Sequence, residues 1–199
     1  MILDDLKKFR VILASQSPRR RELLKLMGIS FEAVSADLDE SFDPSLKADQ
    51  IPSYLSLIKA RHFENLYPKD TLIIASDTIV WHNGVALNKP QSREEAVAML
   101  SSLSGQTHQV YTAITLILGD QTRTACDCAQ VTFATLTPEE IAYYIDVHQP
   151  FDKAGSYGAQ DFIGLVGIEK LEGSFYTVMG LPTHLLYRMF EEIIRGAIS

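Results

Sequence analysis

Apolar positions along this chain form two kinds of pattern, which predict strands and helices in alternation. Nearly continuous apolar runs predict buried strands, and apolar residues three or four apart predict amphipathic helices. The predicted strands are 9–14, 72–75 with a continuation at 78–81, 110–118, 124–136, 163–169 and 175–179. The predicted helices are 18–27, 52–66, 93–103, one from 138 toward 150 and one from 182 onward. Strand follows strand between 110 and 136, which favours an α/β fold with helices flanking a mixed sheet.

Local signals mark where several of these helices begin and end. Ser17 followed by Pro18 is the pattern of an N-cap with proline at the first helical position. Ser92 and Thr137 each have a glutamate three residues later, which predicts a capping box. Gly28 is placed to end the first of these helices.

The composition is that of an ordinary globular protein. The chain has 199 residues, of which 46% are apolar and 22% are charged. These values predict a single domain over 1–199, with two lobes around a cleft and a core of its own. Lysine and arginine number 18 against 25 acidic residues, which gives a net charge of −7. Such a chain lacks the basic surface that long nucleic acid requires, although a few local cations suffice for a small anion.

Three further features predict a cytoplasmic protein without a membrane segment. Residues 1–10 are mixed and charged and lack a signal-peptide core. No apolar run approaches the ~20 residues that span a bilayer. The only cysteines, Cys126 and Cys128, would share one face of a strand. They are too few for a disulfide framework, and reduced cysteines are typical of the cytoplasm.

The segment after the first strand is a candidate anion site. Ser15 and Ser17 precede a helix whose first turn contains Arg19, Arg20 and Arg21. A helix N-terminus attracts anions through its free N–H groups, and its dipole disfavours cations there. A bound polyphosphate would offset that cost, because arginine forms forked hydrogen bonds with phosphate oxygens. The alternative is a capped helix with solvated arginines. Walker and Rossmann glycine motifs are absent from the sequence.

Two groups of carboxylates are candidates for catalysis or metal binding. Asp77 follows the apolar run 72–75, and ligands of α/β sheets bind beyond the carboxyl ends of strands. A carboxylate there can hold a metal, orient water or accept its proton, or it can merely cap a turn. The acidic segment 37–43 has Phe42 where a calcium loop needs glycine. It is therefore either a solvated loop or the source of a single Mg²⁺ or Mn²⁺ ligand.

Three lysines have positions that a binding site would explain. Lys59 lies on the apolar stripe of the helix 52–66, where it either extends to solvent or faces a cleft. Lys89 lies between the strand that contains Asp77 and the next helix, and Lys153 lies in a glycine-containing loop. Each of them alone is equally well explained as surface charge.

These segments together resemble the Maf family. The match extends in order over nearly the whole chain, and several blocks together are specific where any one is weak. The blocks are Leu13-Ala14-Ser15-Gln16-Ser17-Pro18-Arg19-Arg20, Glu40, Lys59, Ala75-Ser76-Asp77-Thr78, Asn88-Lys89-Pro90, Leu103-Ser104-Gly105, Asp152-Lys153-Ala154-Gly155-Ser156-Tyr157-Gly158-Ala159-Gln160 and Val178-Met179-Gly180-Leu181-Pro182. One departure is Asp161, where many relatives have glycine.

The resemblance implies a fold like that of the inosine-triphosphate pyrophosphatases, and a homodimer. It also implies metal-dependent hydrolysis of nucleoside triphosphates between the α and β phosphates, with Mg²⁺ or Mn²⁺ as cofactor. The positions that correspond to the family's functional residues are Ser17, Arg20, Glu40, Lys59, Asp77, Lys89 and Gln160.

The resemblance also suggests a role for each of these residues. Ser17, Arg20, Lys59 and Lys89 would bind the phosphates, and Gln160 would contact the base. Glu40 and Asp77 would contribute to the metal site, and Asp77 would also act on the attacking water.

Base selectivity is a finer expectation. The loop around Tyr157 and Gln160 resembles that of the family branch that hydrolyses dTTP and UTP. An amide has the donors and the acceptor that a pyrimidine edge requires, although Gln160 could simply satisfy loop backbone. Two alternatives stay open: the branch that prefers 7-methyl-GTP, and a nucleotide-binding regulator of septum formation.

Overall fold

A computed structural model describes residues 1–198, and the side chains of residues 1–196. Its centre is a seven-stranded sheet with the order β2-β1-β3-β5-β6-β7, in which β4 pairs with β3 outside this path. The strands are β1 (Arg10–Ala14), β2 (Glu32–Val34), β3 (Thr71–His82), β4 (Val85–Leu87), β5 (Thr107–Leu118), β6 (Gln121–Phe133) and β7 (Ile168–Glu172). The sheet is mixed because β1 pairs in parallel with β2 and β3, whereas all other pairs are antiparallel. The predicted α/β fold with a mixed sheet is thus confirmed.

The helices pack on both faces of this sheet. They are α1 (Ile2–Leu6), α2 (Pro18–Leu26), α3 (Gln50–Glu64), α4 (Arg93–Leu103), α5 (Pro138–His148), α6 (Phe162–Gly167), α7 (Phe175–Met179) and α8 (Thr183–Ile198). Apolar residues of α2 and α8 form one core cluster with the first part of β3. Residues of α4 and α5 form a second cluster with the end of β3, and α3 contributes to clusters on the opposite face. The candidate functional site lies between the first two clusters.

A notch in the sheet lies beside the middle of β3. On one edge, β3 pairs with β5 from Ile73 to Trp81. On the other edge, β1 ends opposite Ala75, and the antiparallel β4 pairs only with residues 80–82. In the described part of the chain, residues 76–79 therefore have no strand beside them on that edge. We call this gap the notch.

The position of Asp77 differs from the sequence prediction. We predicted that the strand 72–75 ends at residues 76–77 and has a continuation at 78–81, but β3 runs without interruption through residue 77 to His82. The parallel partner β1 is the strand that ends, at Ala14. Asp77 consequently lies in the notch, just beyond the carboxyl end of β1. It therefore does lie near the carboxyl end of a strand, but this strand is the neighbour β1 and not its own strand β3.

Two predicted strands are wrong. Most of the predicted strand 163–169 is helix α6, and strand β7 begins only at Ile168. The predicted strand 175–179 is the single-turn helix α7. Apolar and β-branched runs of five to seven residues carry no clear period, so the tertiary context decides their conformation.

The sequence predicts an apolar stripe on the helix 52–66 that consists of Leu55, Ile58, His62, Phe63 and Leu66. Leu55 and Phe63 are buried, but His62 and Leu66 are exposed, so the buried stripe is narrower than predicted. None of the helices in the described residues has the length and apolar character needed to cross a membrane. The single domain over 1–199 stays a prediction.

Candidate active site

A cleft of about 640 Å³ opens at the notch. Its walls come from the start of α2, the segment 35–42, α3, β3, the segment 88–91 and the loop 152–160. All seven sequence-predicted site residues line it: Ser17, Arg20, Glu40, Lys59, Asp77, Lys89 and Gln160. The structure thus brings together residues that are up to 143 positions apart in the chain (17 to 160), which their scattered sequence positions alone do not require.

Arg20 lies at the start of α2, and its guanidinium donates hydrogen bonds to three protein acceptors. Its Nε donates to the carbonyl of Gly180 at 2.7 Å, and its Nη1 donates to Oγ of Ser15 at 3.2 Å. Its Nη2 donates to Oγ1 of Thr78 at 3.1 Å. Ser17 caps the helix by accepting from the backbone N–H of Arg20 at 3.4 Å. The α2 N-terminus and a fixed arginine therefore face the same cleft, as an anion site requires.

The other two arginines of this turn differ from each other. Arg19 lines the cleft and lies 3.8 Å from the carboxylate of Asp152 across it. Arg21 turns away and donates to the carbonyl of Ser15 at 3.4 Å. Of the three arginines that we predicted around an anion, Arg19 and Arg20 therefore line the cleft and Arg21 does not.

Lys59 joins two carboxylates at the floor of the cleft. Its Nζ is 2.5 Å from Oδ1 of Asp77 and 2.8 Å from Oε1 of Glu40. The Lys59 side chain is only 14% exposed, so it faces the cleft and does not extend to solvent. Lys89 is more exposed, and its Nζ lies 3.8 Å from Oε2 of Glu40. The floor thus contains two cations and two anions within reach of one ligand.

The two carboxylates differ in protonation behaviour. Burial raises the pKa of Asp77 above its ordinary value, although Lys59 and Arg20 oppose the shift. Burial also acts to raise the pKa of Glu40, but the hydrogen bond and charge of Lys59, together with the charges of Lys89 and Arg20, outweigh it, so this pKa is lowered. Asp77 is therefore the stronger base of the pair, and Glu40 is the carboxylate that stays ionised at lower pH.

The carboxylate pair is chemically suited to Mg²⁺ or Mn²⁺. Both Glu40 and Asp77 approach one point, the Lys59 ammonium, so their oxygens lie close together. Such a cation needs only one or two carboxylates when substrate phosphates complete its coordination. Within the described residues, no group of three histidine, cysteine or acidic side chains is suited to hold a metal alone. The donor set thus fits a metal that binds together with a phosphate ligand.

The remaining acidic and cysteine candidates have local roles. Asp39 and Asp43 accept hydrogen bonds from Ser41 and Ser45, respectively, within exposed turns. Cys126 and Cys128 are free, and burial raises the pKa of both thiols, that of Cys126 to about 12. We therefore assign neither group to the site.

The loop 152–160 forms the wall opposite α2. Tyr144 anchors it, because its hydroxyl donates to Oδ2 of Asp161 at 3.1 Å and accepts from the N–H of Gly158 at 3.2 Å. Asp161 also lies 3.5 Å from Nζ of Lys153. The residue that departs from the family pattern is thus part of the loop's support. Beside it, Oε1 of Gln160 is buried without a hydrogen-bond partner among the described residues.

Several residues that shape the cleft were not predicted from the sequence in the roles that they have. Ser15, Thr78 and Gly180 supply the three acceptors of Arg20, and Asp152 faces Arg19. Ser15 was predicted as part of the anion site and not as an acceptor for Arg20. Thr78, Gly180 and Asp152 lie in the family blocks but had no predicted role. Their pairing with Arg20 joins segments that are distant in sequence, so spacing alone does not predict it.

His108 supports this wall from below. Its Nε2 hydrogen-bonds the hydroxyl of Tyr157 at 2.7 Å, and its ring packs edge-on against Phe133. Only 2% of His108 is exposed, and burial lowers its pKa to about 3. The folded protein therefore keeps this imidazole neutral at pH values at which the unfolded chain protonates it.

This histidine predicts a pH dependence of stability. Its folded pKa is depressed from 6.5, so its contribution is complete above pH 6.5 and is lost as pH falls toward 3. Between pH 6.5 and 4, we expect the free energy of unfolding of His108→Gln to depend less on pH than that of the wild type. The slopes should differ by up to about 1.4 kcal/mol per pH unit. Urea unfolding at several pH values measures this. The control His62→Gln, at an exposed position, should keep the wild-type slope.

The fold and the cleft together define an α/β protein with a cleft in which cations, carboxylates and a helix N-terminus converge. Residues 10–193 match the family model described as Maf-like protein. The chain belongs to this family.

Its relatives include proteins of closely similar length. The dTTP/UTP pyrophosphatase of Porphyromonas gingivalis is 46% identical over 194 residues, which cover 96% of this chain and 98% of that protein. The dTTP/UTP pyrophosphatase of Bacteroides fragilis is 42% identical over 193 residues, which cover 96% and 100%. Among solved structures, a HAM1 protein from Coxiella burnetii aligns over 79% of this chain and 91% of that chain. The TM-score of that alignment is 0.47, at 14% identity.

Proposed function

We propose that the protein hydrolyses nucleoside triphosphates, with dTTP and UTP as preferred substrates, to the monophosphate and pyrophosphate. The observation that carries this proposal is the Lys59 bridge between Asp77 and Glu40, in the same cleft as Arg20 and the α2 N-terminus. Cations alone would suit any phosphate. A buried carboxylate with a raised pKa beside them adds a base, which hydrolysis requires and binding does not.

The cations and the helix N-terminus would bind the triphosphate. Two N–H groups of Arg20 remain after its three bonds to the protein, because a guanidinium has five donors. Lys59 and Lys89 would neutralise the β and γ phosphates. Ser17, at the N-terminal end of α2, would also help to bind the phosphates. Positioning and charge neutralisation account for most of the catalysis in phosphoryl transfer.

Glu40 and Asp77 are the residues that would hold Mg²⁺ or Mn²⁺. When bound, the metal would supply positive charge for the phosphate oxygens. With the triphosphate bound, the Lys59 ammonium would contact phosphate oxygens in place of one or both carboxylates.

Asp77 would orient and deprotonate the attacking water. The water oxygen would bond to the α-phosphorus, the bond from that phosphorus to the α–β bridging oxygen would break, and pyrophosphate would leave. The carboxylate of Asp77 would take the proton of the water and later release it to solvent. Its raised pKa makes it a better acceptor than an exposed aspartate.

Gln160 would read the base. Its buried Oε1 has no partner among the described residues, so it is an acceptor available for the N3–H of thymine or uracil. The names of the relatives from Porphyromonas gingivalis and Bacteroides fragilis support dTTP and UTP for this chain. The competing substrate, 7-methyl-GTP, has a larger base with a different hydrogen-bonding edge. A second candidate, a regulator of septum formation that only binds nucleotide, is disfavoured because it has no chemical need for Asp77.

Pyrophosphate release from a nucleotide panel tests this proposal. With Mg²⁺ or Mn²⁺, we expect turnover of dTTP and UTP at least tenfold above that of CTP, GTP and 7-methyl-GTP, and none with excess EDTA. Faster turnover of 7-methyl-GTP would keep the reaction but reject the role of Gln160. Binding of nucleotide without release of pyrophosphate would favour the regulator.

The proposal also includes the oligomeric state of the protein and its location in the cell. We expect a homodimer in the cytoplasm, where both free cysteines stay reduced. Light scattering coupled to size-exclusion chromatography measures the oligomeric state directly.

A further inference from the structure

Arg20 is connected, through Thr78 on the wall of the cleft, to a buried threonine hydroxyl that does not line the cleft. Its Nη2 donates to Oγ1 of Thr78, and that oxygen lies 3.0 Å from Oγ1 of Thr112 on β5. Thr112 in turn donates to the carbonyl of Thr177 at 2.7 Å. Thr112 and Thr177 are both fully buried. This chain of hydrogen bonds therefore joins the start of α2 to β3, β5 and α7.

The direction of every bond in this chain follows from counting protons. A threonine hydroxyl has one proton to donate. The proton of Thr112 goes to the Thr177 carbonyl, which has none to give. In the bond between the two hydroxyls, Thr78 must consequently be the donor. Its oxygen is then free to accept from Arg20, which can only donate.

We propose that Thr112 is a positioning residue for Arg20, acting through Thr78, an inference that rests on the phosphate-binding role of Arg20 in the proposed function. By accepting the Thr78 proton, Thr112 keeps the acceptor side of that hydroxyl toward the guanidinium. Without Thr112, the Thr78 hydroxyl can rotate and present its proton to Arg20, which repels it. Hydrogen bonds in such chains also polarise one another, which strengthens the bond to the cation.

The surrounding bonds indicate that the protein folds without the Thr112 hydroxyl. The Thr177 carbonyl also accepts from the N–H of Gly180 at 3.1 Å, so it keeps a partner. Valine has nearly the shape of threonine. Thr112→Val therefore removes a directional contact and leaves no orphaned acceptor on α7.

Thr115 is a matched control on the same strand. It is also fully buried, and its hydroxyl lies 2.9 Å from those of Ser56 and Thr124. Thr115→Val removes an equally buried threonine hydroxyl from a similar chain without touching Arg20. A loss of activity in Thr112→Val that Thr115→Val does not show is then due to the positioning of Arg20 and not to a general disturbance of the core.

The test is a double-mutant cycle with Thr78→Val. We expect Thr112→Val to lower kcat/KM for dTTP about five- to tenfold. In the Thr78→Val background it should lower kcat/KM less than twofold, because its route to Arg20 is already cut. Thr112→Ser should stay within about twofold of the wild type, and so should Thr115→Val.

Binding of inorganic triphosphate, measured by calorimetry, gives a readout that does not need turnover. Thr112→Val should weaken it at least threefold and Thr115→Val should not. If the wild type releases no pyrophosphate, this comparison still decides the role of Thr112 while the proposed function fails. Equal effects of the two valine variants, or an undiminished effect in the Thr78→Val background, would overturn the proposal. If Thr112→Val does not fold, Thr112→Ala takes its place.

Discussion

Replacement of Asp77 by asparagine should lower kcat about a thousandfold, the range expected when a positioned base is removed. The amide keeps the shape of the side chain and can still accept from Lys59, but it cannot take a proton from water. Burial raises the pKa of Asp77, which means that its charged form is less favourable in the folded state than in the unfolded chain. The free energy of unfolding of Asp77→Asn should consequently be no lower than that of the wild type at pH 7. Steady-state pyrophosphate release and urea unfolding measure the two quantities.

The control for this variant is Asp146→Asn. Asp146 accepts two hydrogen bonds from Arg93, at 2.7 and 2.9 Å, on the exposed surface, and neither residue lines the cleft. Its loss should leave kcat unchanged. A folded Asp77→Asn protein that keeps more than a tenth of the wild-type kcat would falsify the assignment of Asp77 as the base.

The same assignment fixes the acid side of the pH profile. Asp77 must be ionised to act, and its pKa is raised, so kcat/KM should fall with decreasing pH at values above the ordinary 3.8 of aspartate. An exposed aspartate in this role would stay ionised to lower pH. The direction of the shift therefore separates a buried base from an exposed one.

The helix starts show what local sequence determines in this fold. Ser17 and Thr137 cap α2 and α5 as predicted, and Thr137 forms its full capping box. Ser92 also caps α4, but its predicted capping box is incomplete because the Glu95 carboxylate accepts from the N–H of Gln91. Caps involve atoms within one turn, so three or four residues contain all the information.

Helices α6 and α7 show where local sequence is insufficient. Inside α6, a Cβ on Gly164 would lie 2.2 Å from the carbonyl oxygen of Ala159, so the helix depends on a backbone contact. Helix α7 ends at Gly180, whose φ of +101° is accessible mainly to glycine. Both helices are shaped by contacts with other segments, and a five-residue apolar pattern cannot express those contacts.

The candidate site likewise has features that the sequence predicts and features that it does not. The family blocks led to the seven residues that line the cleft, and the unusual arginines of α2 gave an independent physical reason for an anion there. The pairing of Lys59 with both carboxylates, and of Arg20 with Thr78 and Gly180, arises because the notch brings β3, α3 and the segment before α8 together. Long-range geometry of this kind depends on sheet register, which the sequence patterns did not determine.

Replacement of Lys59 by methionine should be the most damaging single change, because it affects folding and chemistry together. Methionine keeps the length of the side chain but leaves Asp77 and Glu40 facing each other without the ammonium between them. Loss of one partner from a buried ion pair costs about 3 kcal/mol or more, and partial exposure of Glu40 reduces this to about 2 kcal/mol. We also expect kcat/KM to fall more than a hundredfold, since a phosphate-neutralising cation is lost.

The control for this change is Lys89→Met. Lys89 lines the same cleft, but its side chain is 54% exposed and it lies 3.8 Å from Glu40. An exposed pair contributes only ~0.5 kcal/mol, so this variant should lose activity with little loss of stability. A destabilisation equal to that of Lys59→Met would contradict the view that burial distinguishes the two lysines.

Addition of Asp77→Asn to Lys59→Met tests whether the unpaired carboxylates cause the loss of stability. In Lys59→Met the pKa of Asp77 rises further, so the folded state gains protons that the unfolded chain lacks, and stability is lost as pH rises through that pKa. The deficit relative to the wild type should therefore be larger at pH 8 than at pH 4. Adding Asp77→Asn should recover most of it at pH 8, because only the half-exposed Glu40 remains charged. If the two substitutions destabilise additively, the carboxylates do not depend on Lys59, and the bridge at the floor of the cleft is not an energetic unit.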